Sequence, residues 1–253
     1  MSPEDRMKVE LAGADWFSAW IRAVVRFLVA ILLWPVFLPK RAGQRVEPEG
    51  EGCILIANHH HILDPIFLTF LYPSKRLSIV AKQELYRMKL IGRILKAFRA
   101  IPLDRSIADI RASKLILSQI RAGRVVGIFP EGTRIKAEEA GTAELHASIF
   151  VYAIRRGIPI LPVSIEPRYR LLGRPRYTFG WPVRYGLRGT ESLSREEQEG
   201  IAREMMRRIY AAAGLPYQCR GIEGYGALFE QKLIEEPVET IRPVGRKKRE
   251  VGD

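Results

Sequence analysis

Three of the chain's four histidines are consecutive, His59, His60 and His61, within Ala57-Asn58-His59-His60-His61-Ile62-Leu63-Asp64-Pro65. A neutral imidazole is the natural proton acceptor near pH 7, worth about 10²–10⁴ in rate when correctly placed. Asp64 stands five residues after His59. On a continuous helix the two would lie about 140° apart and could not meet, whereas across a tight turn into a helix they can. A carboxylate on one ring nitrogen fixes the tautomer and leaves the other nitrogen to take a proton. Two other readings fit the same residues. Asp64 before Pro65 is an ordinary helix start, with Asp as N-cap, Pro at the first helical position and the histidines incidental. Three histidines also suit a metal ion, although neighbours on an extended segment point in alternating directions and no Cys or fourth His stands near in sequence.

These residues follow a short apolar run, Cys53–Ala57, and precede a helical stretch, Pro65–Leu71. A second polar cluster, Phe129-Pro130-Glu131-Gly132-Thr133-Arg134, follows the apolar run Val125–Phe129. Further strands are expected at Leu77–Ala81, Ala100–Leu103, Ile158–Ile165 and Tyr177–Tyr185. The Ile158–Ile165 run holds two prolines, so it should begin irregularly or lie at a sheet edge. Helices are expected at Tyr86–Phe98, which is basic and amphipathic, at Ser106–Ala122, at Ala147–Arg156, and from the Ser194/Glu197 capping box to Ala213. Ser106 and Asp109 form a capping-box-like pair for the second of these. Strands alternating with helices imply an α/β fold, a mostly parallel sheet flanked by helices. In such a sheet ligands bind beyond the carboxyl ends of the strands, so both polar clusters should project from one edge.

The chain has 253 residues, with 41 Lys plus Arg against 28 Asp plus Glu, for a net charge of +13. An apolar content of 47% excludes disorder of the whole chain, collagen and a multi-pass bundle. Two cysteines, Cys53 and Cys219, form neither a disulfide framework nor a zinc spacing, so a reducing compartment is the default. The excess positive charge suits an anionic lipid surface, a phosphorylated substrate or nucleic acid. The one dense basic run, Arg246 to Arg249, reads as a solvated tail.

The N-terminal segment favours lipid. From Trp16 to Leu38 it is mostly apolar, but Arg22 and Arg26 lie inside it and Pro35 should break it. Phe17, Trp20, Ile21, Val24, Leu28, Ile31 and Leu32 recur on one helical face, with Asp15, Ser18, Arg22 and Arg26 opposite. That pattern describes an amphipathic helix lying in a membrane interface; a helix docked on the core and a single span are the alternatives. The acidic flank before it argues against a secretory signal. The expected organisation is an interfacial helical segment over 1–48, a central domain over 49–215, and a C-terminal extension over 216–253 that is disordered from Pro237.

The block Asn58-His59-x-x-x-x-Asp64 resembles the His-x4-Asp motif of the glycerolipid acyltransferases, the lysophosphatidate acyltransferase type. Ile101-Pro102-Leu103-Asp104-Arg105, Phe129-Pro130-Glu131-Gly132-Thr133-Arg134 and Ile158-Pro159-Ile160-Leu161-Pro162-Val163 resemble the family's next three blocks, in order. The match runs from about Gly50 to Tyr185, so the central domain reads as an acyltransferase domain. The resemblance implies acyl transfer from acyl-CoA or acyl-carrier protein to a lysolipid hydroxyl, with no further cofactor and no metal. His59 would be the general base and Asp64 its support. Arg105 and Arg134 would bind the acceptor phosphate, and Glu131 would hold those arginines or a glycerol hydroxyl. Gly132 and Thr133 would offer N–H groups to the oxyanion. The acceptor that the resemblance implies is 1-acylglycerol-3-phosphate; glycerol-3-phosphate, lyso-ornithine lipid and other lysophospholipids are the alternatives. A hydrolase using His59 on water and a non-enzymatic membrane or nucleic-acid binder are the competing classes. No recognition helix or RNA-binding motif is seen, so no nucleic-acid partner is expected. Residues 16–38 would hold the protein peripherally at the cytoplasmic face of a membrane. The sequence departs from the family pattern at His61, where Ser is frequent, and at His146, Ala147 and Ser148 before the fourth block.

Overall fold

In a computed structural model of the protein, residues 16–104, 110–189, 192–219 and 222–244 are described. A long N-terminal helix opens the fold: α1 (Trp16–Leu28), continued by a π-turn (Val29–Leu33) and a last turn (Trp34–Phe37). The strands are β1 (Lys40–Gly43), β2 (Val46–Pro48), β3 (Cys53–Ala57), β4 (Leu77–Lys82), β5 (Ile101–Leu103), β6 (Val125–Ile128), β7 (Ile160–Glu166), β8 (Arg176–Phe179), β9 (Val183–Leu187), β10 (Leu233–Pro237) and β11 (Ile241–Pro243). The remaining helices are α2 (Asp64–Leu71), α3 (Lys89–Ala97), α4 (Ile110–Arg121), α5 (Ser148–Arg156), α6 (Arg195–Ala212) and α7 (Ile222–Lys232).

The main sheet runs β1-β8-β7-β3-β6-β4-β5, with β9 on β7 and β10 on β9. Its centre, β7-β3-β6-β4-β5, is parallel, and antiparallel pairing enters only where β8, β9 and β10 extend it. This is the expected α/β sheet. Side chains alternate between two buried layers, as a strand's period of two requires. Ile54, Ile56, Val126 and Ile128 pack beneath α4, α5 and α6. Cys53, Leu55, Ala57, Leu161 and Val163 pack against α2 and the end of α1. Both faces of the central strands are therefore covered, while β1, β9 and β10 at the margins keep exposed or half-buried residues.

Five expectations are revised. First, β7 is interior and not an edge strand, so of the two expected alternatives the irregular start is the one found. It starts after Pro159, and Pro162 sits where its neighbour changes from β9 to β8. The Pro162 carbonyl accepts from Gly180 N–H at 2.9 Å. A residue's N–H and C=O point to one side of a strand, so the missing donor falls in that gap and breaks no ladder. Second, Tyr177–Tyr185 is two strands, parted at Gly180-Trp181-Pro182. Third, residues 237–244 are ordered: β11 pairs with β2, and Arg242 bonds the buried Glu47 at 2.6 Å. Fourth, Tyr86–Phe98 is a 3-10 turn (Gln83–Arg87) followed by α3. Fifth, α1 passes through Pro35. The π-turn carries the Trp34 N–H back to Val29, and the helix ends at Leu38 in the left-handed region.

Helix α1 has two apolar faces. Val29 is buried, and Val25, Leu33, Trp34 and Phe37 pack on the core. The expected amphipathic stripe, by contrast, is turned outward: Phe17, Trp20, Leu28, Ile31 and Leu32 are all exposed. Arg22 bonds the Ala97 carbonyl at 2.6 Å, which anchors the polar side of the helix to α3. The run Trp16–Phe37 has 22 residues and holds an 18-residue window with a mean hydropathy of 1.9, so by length and composition it is able to cross a membrane. The Ser106/Asp109 cap and the basic tail at 246–249 lie outside the described residues, as does Arg105.

Candidate active site

Strands β3 and β6 are parallel neighbours, with Ile56 opposite Ile128. Their carboxyl ends release the two polar clusters side by side, as the strand order requires. The chain turns between Ala57 and α2, and Asp64 N–H bonds the His61 carbonyl at 2.9 Å. Asp64 is the first residue of α2, with Pro65 next. Its carboxylate is fully buried and does not cap the helix. It turns back onto the preceding loop instead. Asp64 Oδ2 accepts from the backbone N–H groups of His60 and His61 at 2.6 and 2.7 Å. It also meets His59 Nδ1 at 2.9 Å. Every partner is a donor, which matches the acceptor-only carboxylate form.

The three imidazoles diverge. His59 lies against the Phe129 ring, with centroids 4.4 Å apart. With Nδ1 engaged by Asp64, its Nε2 is the nitrogen left to receive a proton. His60 points inward. Its Nδ1–H donates to the Ile135 carbonyl at 2.7 Å, and its Nε2 accepts from Asn58 Nδ2 at 2.7 Å. Asn58, itself buried, also clamps both backbone groups of Ile165 on β7. Burial pushes the His60 pKa down, against an opposing pull from the Ile135 carbonyl and Asp64. His61 stacks on Tyr169 at 4.2 Å and 17°. Among the described residues no group of three or more His, Cys, Asp or Glu is placed to hold a metal ion.

The loop after β6 passes beneath His59. Gly132 is buried and adopts φ +66°, a conformation glycine enters without steric cost. Its N–H closes a turn onto the Phe129 carbonyl at 3.0 Å, so it is not available to an oxyanion. Thr133 and Arg134 are exposed beyond the turn. Burial lowers the His61 pKa against the pull of Asp64, and Arg134 lies near enough to lower it further. Glu131 departs from its expected role. It is buried and faces the protein, making no ion pair with Arg134 among the described residues. Its Oε2 accepts from His59 N–H at 2.9 Å and its Oε1 from the Tyr210 hydroxyl on α6. Glu131 therefore pins the backbone of the histidine.

This inward placement has a pH signature. Burial pushes the Glu131 carboxyl from 4.5 up to about 7, against the pull of Tyr210 and His59 N–H. A carboxyl with a raised folded pKa binds more protons folded than unfolded between those two values. Its contribution to stability is therefore greatest at low pH and is lost as pH rises toward 7. Glu131→Gln is expected to shrink the stability difference between pH 5 and pH 8 by about 2 kcal/mol. Urea midpoints at the two pH values measure it.

Sequence reasoning missed the tyrosines. Tyr210 stands in an apolar stripe of α6, and Tyr169 in a basic loop, Arg168-Tyr169-Arg170. Neither carries a local signal of its bond to a distant carboxylate. Helix α6, which presents Tyr210, is fixed by the expected capping box: Ser194 Oγ accepts Glu197 N–H at 3.1 Å and Glu197 Oε2 accepts Ser194 N–H at 2.7 Å.

Residues 40–166 match the family model described as Acyltransferase. A 1-acyl-sn-glycerol-3-phosphate acyltransferase of Streptococcus pneumoniae is 26% identical over 184 residues, covering 70% of this chain and 66% of the relative. The protein of the same description from Bacillus subtilis is 33% identical over 104 residues, covering 39% of this chain and 52% of the relative. The chain thus aligns with between half and two thirds of the length of these curated relatives. The crystal structure of the 1-acyl-sn-glycerophosphate (LPA) acyltransferase PlsC from Thermotoga maritima superposes with a TM-score of 0.51 at 19% identity, over 77% of this chain and 78% of that one. That likeness establishes the shared fold. The matched span contains β1 to β7, the His59–Asp64 turn and the Phe129–Arg134 loop, and on that span the chain belongs to the Acyltransferase family.

Proposed function

We propose that the protein is an O-acyltransferase that moves a fatty acyl group from an acyl thioester, acyl-CoA or acyl-carrier protein, to the free hydroxyl of 1-acylglycerol-3-phosphate, giving phosphatidate. The observation that carries this reading is the contact of His59 Nδ1 with the buried Asp64 carboxylate at 2.9 Å, at the strand edge that also presents Arg134. His59 Nε2 takes the proton of the acceptor hydroxyl as its oxygen attacks the thioester carbonyl. Asp64 stabilises the imidazolium that forms. The tetrahedral oxyanion then collapses, the C–S bond breaks, and the imidazolium proton passes to the leaving thiolate. No protein nucleophile is required. Arg134, and Arg105 as its expected partner, bind the acceptor phosphate, for which a guanidinium supplies paired charge-assisted bonds. With Gly132 N–H committed to its turn, Thr133 N–H is the remaining candidate oxyanion donor of that loop.

The outward stripe of α1 seats the protein on the cytoplasmic face of a membrane. Acceptor and product then exchange with the bilayer without full extraction into water. The relatives' descriptions and the exposed apolar face support this reading. An acceptor panel with labelled acyl-CoA and acyl-carrier protein tests it. Label is expected in phosphatidate when 1-acylglycerol-3-phosphate is present. Transfer only to another lysolipid would reassign the acceptor, and recovery solely as free fatty acid would make the protein a hydrolase.

A further inference from the structure

Asp64 is held from both of its oxygens, and only one of them faces the histidine turn. Oδ2 carries the His59 ring and two backbone N–H groups. Oδ1 accepts from the Tyr169 hydroxyl, which lies 2.5 Å from the hydroxyl of Tyr177. Tyr169 has one proton and gives it to the carboxylate. Tyr177, 3.5 Å from Asp64 Oδ1, therefore donates to the Tyr169 oxygen. The result is a directional chain, Tyr177 to Tyr169 to Asp64. Burial drives both phenols well above their ordinary pKa, so both remain donors across the working pH range.

The Tyr169 ring is itself fixed from several sides. It stacks on His61 at 4.2 Å and lies almost parallel to Phe67, at 6.4 Å and 6°. Phe37, at the end of the N-terminal helix, meets its edge at 6.1 Å. The loop that carries it is tied to the same helix end: Leu172 N–H bonds the Val36 carbonyl at 2.7 Å, and Arg174 N–H bonds that of Phe37 at 3.0 Å. At the loop tip Leu171 and Leu172 are 74% and 56% exposed. The loop thus joins two exposed leucines to the end of the N-terminal helix and, through Tyr169, to the acid of the dyad.

We propose that Tyr169 is a positioning residue that locks the Asp64 carboxylate through Oδ1, and that the end of the lipid-facing helix holds Tyr169 in place. The physical reason lies in the carboxylate torsion. The terminal torsion of Asp is broad and soft, so anchors on one oxygen alone let the group swing. A partner on the second oxygen fixes the plane and with it the approach of Oδ2 to His59. Small errors in such placement are costly in rate.

This inference rests on the acyltransferase reading of the dyad, and its test separates the two. Full-length Tyr169→Phe, Tyr177→Phe and Phe37→Leu are compared with the parent protein in vesicles containing 1-acylglycerol-3-phosphate, with acyl-CoA as donor. The low-field proton NMR resonance of the His59 Nδ1–H is recorded for each. Tyr169→Phe keeps the stacked ring and is expected to lower kcat about tenfold with KM unchanged, and to shift or broaden that resonance. Tyr177→Phe, one step removed, is expected to lower kcat about twofold, and Phe37→Leu about threefold, each with unchanged KM. Parental kcat and an unmoved resonance in Tyr169→Phe would overturn the positioning role. An inert Phe37→Leu would overturn the tie to the helix. If the parent transfers no acyl group to any lysolipid, the functional reading fails, while the resonance still decides whether Tyr169 holds Asp64.

Discussion

His59→Ala is expected to lower kcat/KM for acyl transfer by about 10³-fold, within the range that a positioned general base contributes. The imidazole has Nδ1 fixed on the buried Asp64 carboxylate and Nε2 left to meet substrate. Its side chain is partly exposed, at 16%, so truncation leaves the fold intact. The loss should fall on kcat, because the acceptor's phosphate is held elsewhere. Asp64→Asn is less clean. The amide oxygen can take the place of Oδ2 toward His59, His60 and His61, which leaves the Nδ2 donor facing the Tyr169 hydroxyl that donates to Oδ1. A rate loss of roughly 10² is expected, together with lower thermal stability, since a buried donor facing a donor leaves both unsatisfied. Initial rates of thiol release, paired with a melting curve for each variant, distinguish the chemical effect from the structural one.

The second large effect concerns the lipid surface. Trp20, Phe27 and Ile31 are 58%, 63% and 53% exposed on α1. Burying each of them in a bilayer interface is worth about 1.5–3 kcal/mol. The triple change to Glu at these positions is therefore expected to lower partition onto vesicles by more than about 10³-fold, with added repulsion from anionic lipid. The fold should survive, because the docked face of the helix is untouched: Val29, Leu33, Trp34 and Phe37 still cover Phe67 and Phe70. Co-sedimentation with phosphatidylcholine–phosphatidylglycerol vesicles measures the shift. Unchanged sedimentation would show that the outward stripe is not the contact. Truncating residues 1–45 would be a poorer experiment. It removes β1 and strips the same core of its cover, so loss of binding and loss of structure would coincide.

The parts of this molecule legible in the sequence are those encoded by short-range pattern. Buried parallel strands read as continuous apolar runs, so Cys53–Ala57 and Val125–Phe129 stand out. Parallel neighbours then placed the two polar clusters on one edge. The Ser194/Glu197 cap is likewise a local device, and it is formed. What escaped depends on partners distant in the chain. Pro162 is tolerated inside the sheet because β9 gives way to β8 beside it, a fact of strand order and not of the run itself. Residues 237–244 look too polar to be ordered, yet Glu47 recruits Arg242 from 195 positions away. Glu131 reads as a ligand residue because it stands in a polar block, but its position in the turn directs it inward to Tyr210. The outward stripe of α1 was legible as amphipathic. Its second, docked face was not, because that face is defined by α2 and the Tyr169 loop that it covers.

The central claim is that the acceptor hydroxyl, deprotonated by His59, attacks the thioester directly. The decisive measurement is a single time course with labelled acyl-CoA and vesicles containing 1-acylglycerol-3-phosphate, following free thiol, labelled phosphatidate and the intact mass of the protein together. One thiol should appear for each phosphatidate formed, with no acyl adduct on the protein and thiol release slowed about 10³-fold in His59→Ala. An acylated protein mass, or phosphatidate formed at parental rate by His59→Ala, would contradict it.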